Sequence, residues 1–279
     1  MPSYDITRPR FRLADEHIIA LTELATGQPA PEEYGTAREE LHRCGLLSGS
    51  DTLSVLLVPM MKALINPVVV VSLEATGRQG TLNHGLIIGQ DQVVAHQSWP
   101  GEKEAEYTLV EPKMMVWAIA NMVGLHHSAI VTEGGPALVE TTMETLQEGI
   151  ASLTAVPAAA SGEQEREHIR GALESTGSLE GASLVRFAEM IGELRSSWRL
   201  TAAWRGRDGS EDGVMARSFA VWDCGPLGYW HRELPAEPVA PGQIGSESPV
   251  RLVRTDAKRI WKMVTDVLPA EGEIRQAGL

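Results

Sequence analysis

Near the N-terminus, "RFRL" places Phe11 and Leu13 on one side of the chain and Arg10 and Arg12 on the other, a two-residue period that predicts a short strand. From Asp15 the period lengthens. Ile18, Leu21 and Leu24 recur at helical spacing behind Asp15, a plausible N-cap. A second helix, about Glu32 to Cys44, gathers Tyr34, Ala37 and Leu41 and stops at Gly45, which can adopt the left-handed conformation after a helix. A third is expected between Ser50 or Asp51 and Asn66-Pro67. Pro59 within it predicts a kink or two short helices.

After Pro67 the pattern becomes β-branched and alternating. "VVVVSLEA", "TLNHGLIIG" and "QVVAHQSW", separated by "TGRQG" and Gly89-Gln90-Asp91, predict an antiparallel meander. "YTLVE" adds a strand. Pro112 then suits the first turn of a helix carrying Val116, Ile119, Ala120 and Val123.

The second half repeats this order. "SAIVTE" predicts a strand, and "GPALVETTMETLQEGIASL" a helix with Leu138, Thr142, Leu146 and Ile150 in register. "QEREHIRGALESTGSL" and "SLVRFAEMIGELRS" predict two more, the latter with Leu184, Phe187, Ala188, Ile191 and Leu194 on one stripe. "WRLTAAWR", "MARSFAVWD" and "YWHRE" make a second meander. After a Pro- and Gly-rich excursion, Leu234 to Ser248, "VRLVR" and a closing helix finish the chain.

The closing "LVRTDAKRIWKMV" also echoes "LVEPKMMVWAIANMV" from Leu109 to Val123. The order β-α-α-α-β-β-β-β-α therefore occurs twice, about Arg10 to Val123 and about Ser128 to Leu268. The expectation is an α+β (α/β) fold of quasi-twofold, duplicated design. Residues 1–125 and 126–279 would be two halves of a single domain, sharing one central, mainly antiparallel sheet with a helical bundle from each.

The chain has 279 residues, 43% of them hydrophobic, enough for a substantial core. Its formal charge of −13 makes nucleic acid an unlikely partner. The N-terminus lacks an apolar leader region, and no stretch reaches the roughly eighteen apolar residues of a membrane span, so a cytoplasmic protein without membrane insertion is expected. Two distant cysteines, Cys44 and Cys224, make a disulfide framework improbable.

No catalytic motif appears: there is no nucleophile elbow, phosphate loop or dinucleotide fingerprint. His126 and His127 are adjacent and point apart, and His84, His96 and His231 fall singly on strands. Neither a metal nor a cofactor is expected. The aromatic residues carry more information. Seven tryptophans stand against three phenylalanines, and Trp198, Trp204, Trp222 and Trp230 all belong to the second meander, where they serve either a core or a docking surface. In "WRLTAAWR", Trp198, Leu200, Ala202 and Trp204 share one face, expected to meet helices; the other could meet a partner. Arg205, Arg207 and Arg217 give this acidic chain a local positive feature.

"ELHRCGLLSGSDTLSVLLVPMMKALINPVVVVSLEA" resembles the helix-Gly-Leu-helix-Pro-strand signature of the EspG family, chaperones of actinobacterial type VII (ESX) secretion. "MARSFAVWDCGPLGYWHRE" resembles the hairpin of that family's C-terminal half. The resemblance covers nearly the whole chain. It implies a cytosolic, non-enzymatic protein, monomeric or weakly dimeric, that binds the tip of a helical PPE-type protein in a PE–PPE heterodimer and keeps it soluble. It also implies partner contacts from Arg78 and Gln79 of "TGRQG", from strand residues around His84, Trp204 and Arg217, with Arg205, Arg207 and Trp222 nearby, and from the helix Leu184 to Leu194. The loop "TGRQG" is short for such a role and the Leu234 to Ser248 excursion long. Two other readings stay open: an enzyme assembled from scattered residues such as His96, Glu74 and Arg217, and a self-assembling scaffold.

Overall fold

A computed structural model describes residues 1–28, 31–126, 135–155, 162–208, 211–234 and 242–274. His127, the strand expected at "SAIVTE", residues 235–241 of the long excursion and the side chain of Arg207 lie outside the described residues.

The first half runs β1 (Ser3–Asp5), β2 (Arg10–Leu13), α1 (Asp15–Ala25), α2 (Gly35–Arg43), α3 (Val58–Ile65), β3 (Val69–Gly77), β4 (Gly80–Ile88), β5 (Val93–Gln97), β6 (Ala105–Val110) and α4 (Met115–Met122). The second runs β7 (Leu138–Thr142), α5 (Met143–Ala155), α6 (Gly162–Thr176), α7 (Gly181–Gly192), β8 (Ser196–Asp208), β9 (Glu211–Asp223), β10 (Tyr229–Arg232), β11 (Pro249–Thr255) and α8 (Ala257–Val267). Pro59 begins α3, after a separate 3-10 turn at Val55–Leu57 whose start is capped by the Ser54 hydroxyl. The interrupted pattern therefore folds as two short helices.

The eleven described strands form one sheet in the order β1-β2-β6-β5-β4-β3-β8-β9-β10-β11-β7, every neighbouring pair antiparallel. Outward from the central β3–β8 pair, the order β3-β4-β5-β6-β2 on one side faces β8-β9-β10-β11-β7 on the other.

Alternation on the strands creates two differently covered faces. Val69, Val71 and Leu73 of β3, with Trp198, Leu200, Ala202 and Trp204 of β8, point to one face and build a core beneath α4 and α8. The opposite face carries two cores. Phe11, Leu13, Val94 and Tyr107 pack beneath α1–α3 at one end. Trp222, Trp230, Val250 and Leu252 pack beneath α5–α7 at the other. Between the bundles this face is open: Val70, Ser72, Glu74, Arg199, Arg205, Ala216 and Ser218 are exposed.

Three local expectations need correction. Leu138 and Thr142 lie on strand β7, because "LVETT" pairs with β11 at the sheet edge and buries Val139 completely. The helix then begins at Met143 and turns Thr145, Leu146 and Ser152 inward, leaving Ile150 exposed. At α1 the cap is Ala14, whose N–H donates to His17 Nδ1 at 3.0 Å; Asp15 is already helical. Strand β1, at the sheet edge, was not foreseen.

Candidate functional site

Strands β3 and β4 are joined by only Arg78 and Gln79, between the paired Gly77 and Gly80. Neither connecting residue takes positive φ; Gly80, directly after them, does so at +89°, a conformation glycine adopts without a Cβ clash. Both connecting side chains are exposed. The hairpin reaches the junction where α7 ends at Gly192 and the chain turns through Arg195 into β8. There the Arg195 N–H donates to the Asp223 carbonyl at 2.8 Å, anchoring the turn to the sheet.

Between the hairpin, the end of α4 and the α7–β8 junction lies a cavity of ≈ 550 Å³. Its walls are mixed: Leu82, Met122, Val123 and Trp198 are apolar, while Arg78, Gln79, His84, Glu193 and Arg195 bring polar groups. Both halves of the chain contribute. His84 is only 5% exposed, and its Nδ1 accepts the Ser98 N–H at 3.1 Å. That bond places the ring proton on Nε2 in the neutral form. Burial holds the His84 pKa below the ordinary histidine value, with the neighbouring His96 adding to the effect.

The eight residues expected to contact a partner thus separate into distinct places. Arg78, Gln79 and His84 come together at the cavity. Arg205 is exposed on the open sheet face, and Arg207 follows on the same strand, its side chain outside the described residues. Trp204 is buried at 4% exposure beneath Arg217, whose guanidinium carbon sits 5.1 Å from the ring centroid. Trp222 is buried as well, stacked on Phe187 at 6.2 Å. Neither tryptophan presents a surface, because each lies on the side of its strand that faces helices. The helix Leu184 to Leu194 is largely core; only its end, with Gly192, Glu193 and Leu194, reaches the cavity.

Met122, Val123, Glu193 and Arg195 escaped the sequence reading. They sit at helix ends; Val123 is readable as part of a helical stripe, but nothing in the sequence brings these ends to the hairpin. The scattered set His96, Glu74 and Arg217 is not brought together: strand register puts Arg217 on the sheet face opposite Glu74 and His96. His96 instead lies against Tyr107, ring centroids 5.0 Å apart.

No family model and no curated protein matches the sequence. Among solved structures, the chain aligns with the type VII secretion system chaperone EspG5 of Mycobacterium tuberculosis, in a complex with the PE25–PPE41 dimer. The alignment covers 95% of this chain and 99% of that one, at a TM-score of 0.55 and 13% identity. The fold is that of EspG5. Since the likeness extends end to end, the EspG5-like architecture includes both helical bundles and the sheet between them. At 13% identity it speaks for the fold alone.

Proposed function

We propose that this protein is a cytoplasmic chaperone of a type VII secretion system, acting as a monomer or weak homodimer. It would bind the tip of a PPE-type protein within a PE–PPE-like heterodimer, keep its apolar end soluble and direct it to its own secretion system. One observation carries the reading: in an EspG5-like fold, the sheet face between the two bundles is open, while the β3–β4 hairpin at the strand ends rims a partly apolar cavity on the other, α4–α8 side of the same sheet. The open face lies between the two bundles and suits the end of a helical pair, with the β3–β4 hairpin at its edge. The role is binding without catalysis. An exposed apolar tip invites aggregation, and burying about 800 Å² per partner under a charged cap suppresses it. The likeness of the two strand orders supports a further reading, that residues 1–125 and 126–279 are duplicated halves of one domain.

The test is co-expression with the PPE-type proteins encoded near this gene, followed by size-exclusion chromatography with mass measurement. A stoichiometric soluble complex is expected with at least one of them. Failure with every such protein, under conditions where this chain is folded, overturns the proposal.

A further inference from the structure

Residues opposed on paired strands share a face, and the register carries one row across the open sheet, through Glu74, Arg199, Ala220 and Arg232 to Leu252 in the core of the second bundle. Arg199 and Arg232 therefore flank Ala220. Their backbones stand two strand spacings apart, about 10 Å, with only a methyl group between them. Arg232 is half-buried at the edge of the second bundle, where its guanidinium donates to the Met143 thioether at 3.2 Å, a weak acceptor. Its other nitrogens have no acceptor among the described residues and are not sealed from solvent. Burial lowers the Arg232 pKa below the ordinary arginine value, and the positive charge of Arg199 lowers it further. The two guanidinium groups are close enough to repel.

Neither arginine forms an ion pair among the described residues, although other arginines of this acidic chain find carboxylates, as in Arg10–Glu106, Arg38–Asp51 and Arg251–Glu140. Glu74 lies opposite Arg199 in the register, yet no salt bridge joins the two. Among the described side chains that β3, β4, β8, β9 and β10 turn to this face, Glu74 is the one carboxylate, against Arg199, Arg205 and Arg232. The face is locally positive. An apolar tip laid over the row would desolvate two like charges without a counter-charge, and a basic tip would add a third. A carboxylate between them relieves both, since its two oxygens accept from two planar guanidinium groups at once.

We propose that the open face reads the docked partner's tip through a carboxylate seated over Ala220, between Arg199 and Arg232. The small side chain of Ala220 leaves the floor of that seat free, and the edge of the second bundle at Met143 forms its wall. This inference rests on the docking reading above and adds a position and a sign to it: the face selects acidic tips and rejects basic ones.

The test measures, by calorimetric titration, the affinity of the full chain for the PPE-type protein that it captures on co-expression. The Arg199→Gln, Arg232→Gln double variant should bind at least about tenfold more weakly than the parent, as expected for charge-assisted bonds in a desolvated interface. One Asp or Glu on the partner's tip, changed to Asn or Gln, should cost as much against the parent and less than about twofold against the double variant. Arg199→Glu, at an exposed position, should weaken binding further, and changing that same tip carboxylate to Lys should recover at least about fivefold of the loss. A misfolded variant cannot give that recovery. A double variant within about twofold of the parent, additive losses for every tip carboxylate, or no recovery with any tip Lys overturns the inference. The two proposals fail distinguishably. Capture undiminished by the double substitution removes the carboxylate seat and leaves the docking role, whereas a parent chain that captures no PPE-type protein overturns both.

Discussion

The two ends of the central β3–β8 pair are built alike and finished differently. At one end the β3–β4 hairpin, the end of α4 and the start of β8 enclose the cavity. At the other, the β8–β9 hairpin meets the end of α8 and the start of β3, and the corresponding space is full. Trp204 occupies it, Arg217 lies over the indole, and the segment after α8 closes it: Arg217 donates to the Leu268 carbonyl at 3.4 Å and pairs with Glu273, while Ile274 joins the same core. Packing there is tight enough that a Cβ on Gly206 would meet Met215 Cγ at 2.5 Å. The fold therefore does not require an open cavity at such a position. At the positions that the pairing about Leu73 and Leu200 makes equivalent, Gly77 and Leu82 stand at the open end where Trp204 and Arg217 stand at the closed end. The space is a property of these residues, which is why we assign it a function.

The largest effect should come from emptying the closed end. Trp204→Ala removes a buried indole that packs beneath Arg217 in the core that Ile274 also joins, and should cost about 3–5 kcal/mol, read as a lower urea midpoint at unchanged slope. Overfilling is the complementary test. Ala202 is fully buried between Val71 of β3 and Arg217 of β9, and Ala202→Leu should cost about 1–3 kcal/mol by overpacking that core. If both variants melt like the parent, the closed end is not closed.

Acidification acts on histidines at the open end and elsewhere. Burial lowers the pKa values of His84, His96 and His231 beneath the ordinary 6.5. With the folded pKa depressed, the unfolded chain takes up protons first as pH falls through about 6.5, so stability is complete above that value and declines below it. Melting temperatures recorded from pH 8 to pH 5 should fall, and His84→Gln should flatten the decline. A flat profile in the parent would contradict the buried, neutral state of these rings. The carboxylates act lower. Glu273, held below its ordinary 4.5 first by the Ala270 N–H and then by Arg217, contributes only as pH drops through the acid range.

How much of this was legible in the sequence follows from which forces act locally. The strands of both meanders, the Pro59 break and the alternation of Trp198, Leu200, Ala202 and Trp204 were readable, because side-chain period and turn chemistry are written over a few neighbouring residues. Leu138–Thr142 was misread as helix because its strand form depends on β11, more than a hundred residues away. The same distinction governs the site. Arg78 and Gln79 could be found from the turn itself, but Met122, Val123 and Arg195 join them only when α4 and α7 end beside the hairpin. Trp204 and Trp222 show the converse limit: abundance of tryptophan does not reveal on which side of a strand the helices will settle.

Arg217→Ala should matter far less than loss of the tryptophan beneath it. Both Arg217 and Glu273 are about 40% exposed, so solvent screens their ion pair, and the cation–π contact supplies much of what remains. A loss of about 0.5–1 kcal/mol is expected, smaller still in high salt. A loss as large as that of Trp204→Ala would mean that the terminal segment, rather than the indole, holds the closed end together.

The smallest change should come from filling the open end. Leu82 is half-buried on the cavity wall, and Leu82→Trp places a larger ring where ≈ 550 Å³ is already free. The enlargement should alter stability by no more than about 0.5 kcal/mol, since no neighbour has to move, in contrast to the penalty for enlarging Ala202. The same variant should lose capture of a co-expressed PPE-type protein. Chemical denaturation and co-expression capture by that one protein separate the cases: a stability cost equal to that of Ala202→Leu would show that the two ends are equally packed, and undiminished capture would place the partner elsewhere. Near-native stability with lost binding is the outcome that distinguishes a space kept for a partner from an imperfection of packing.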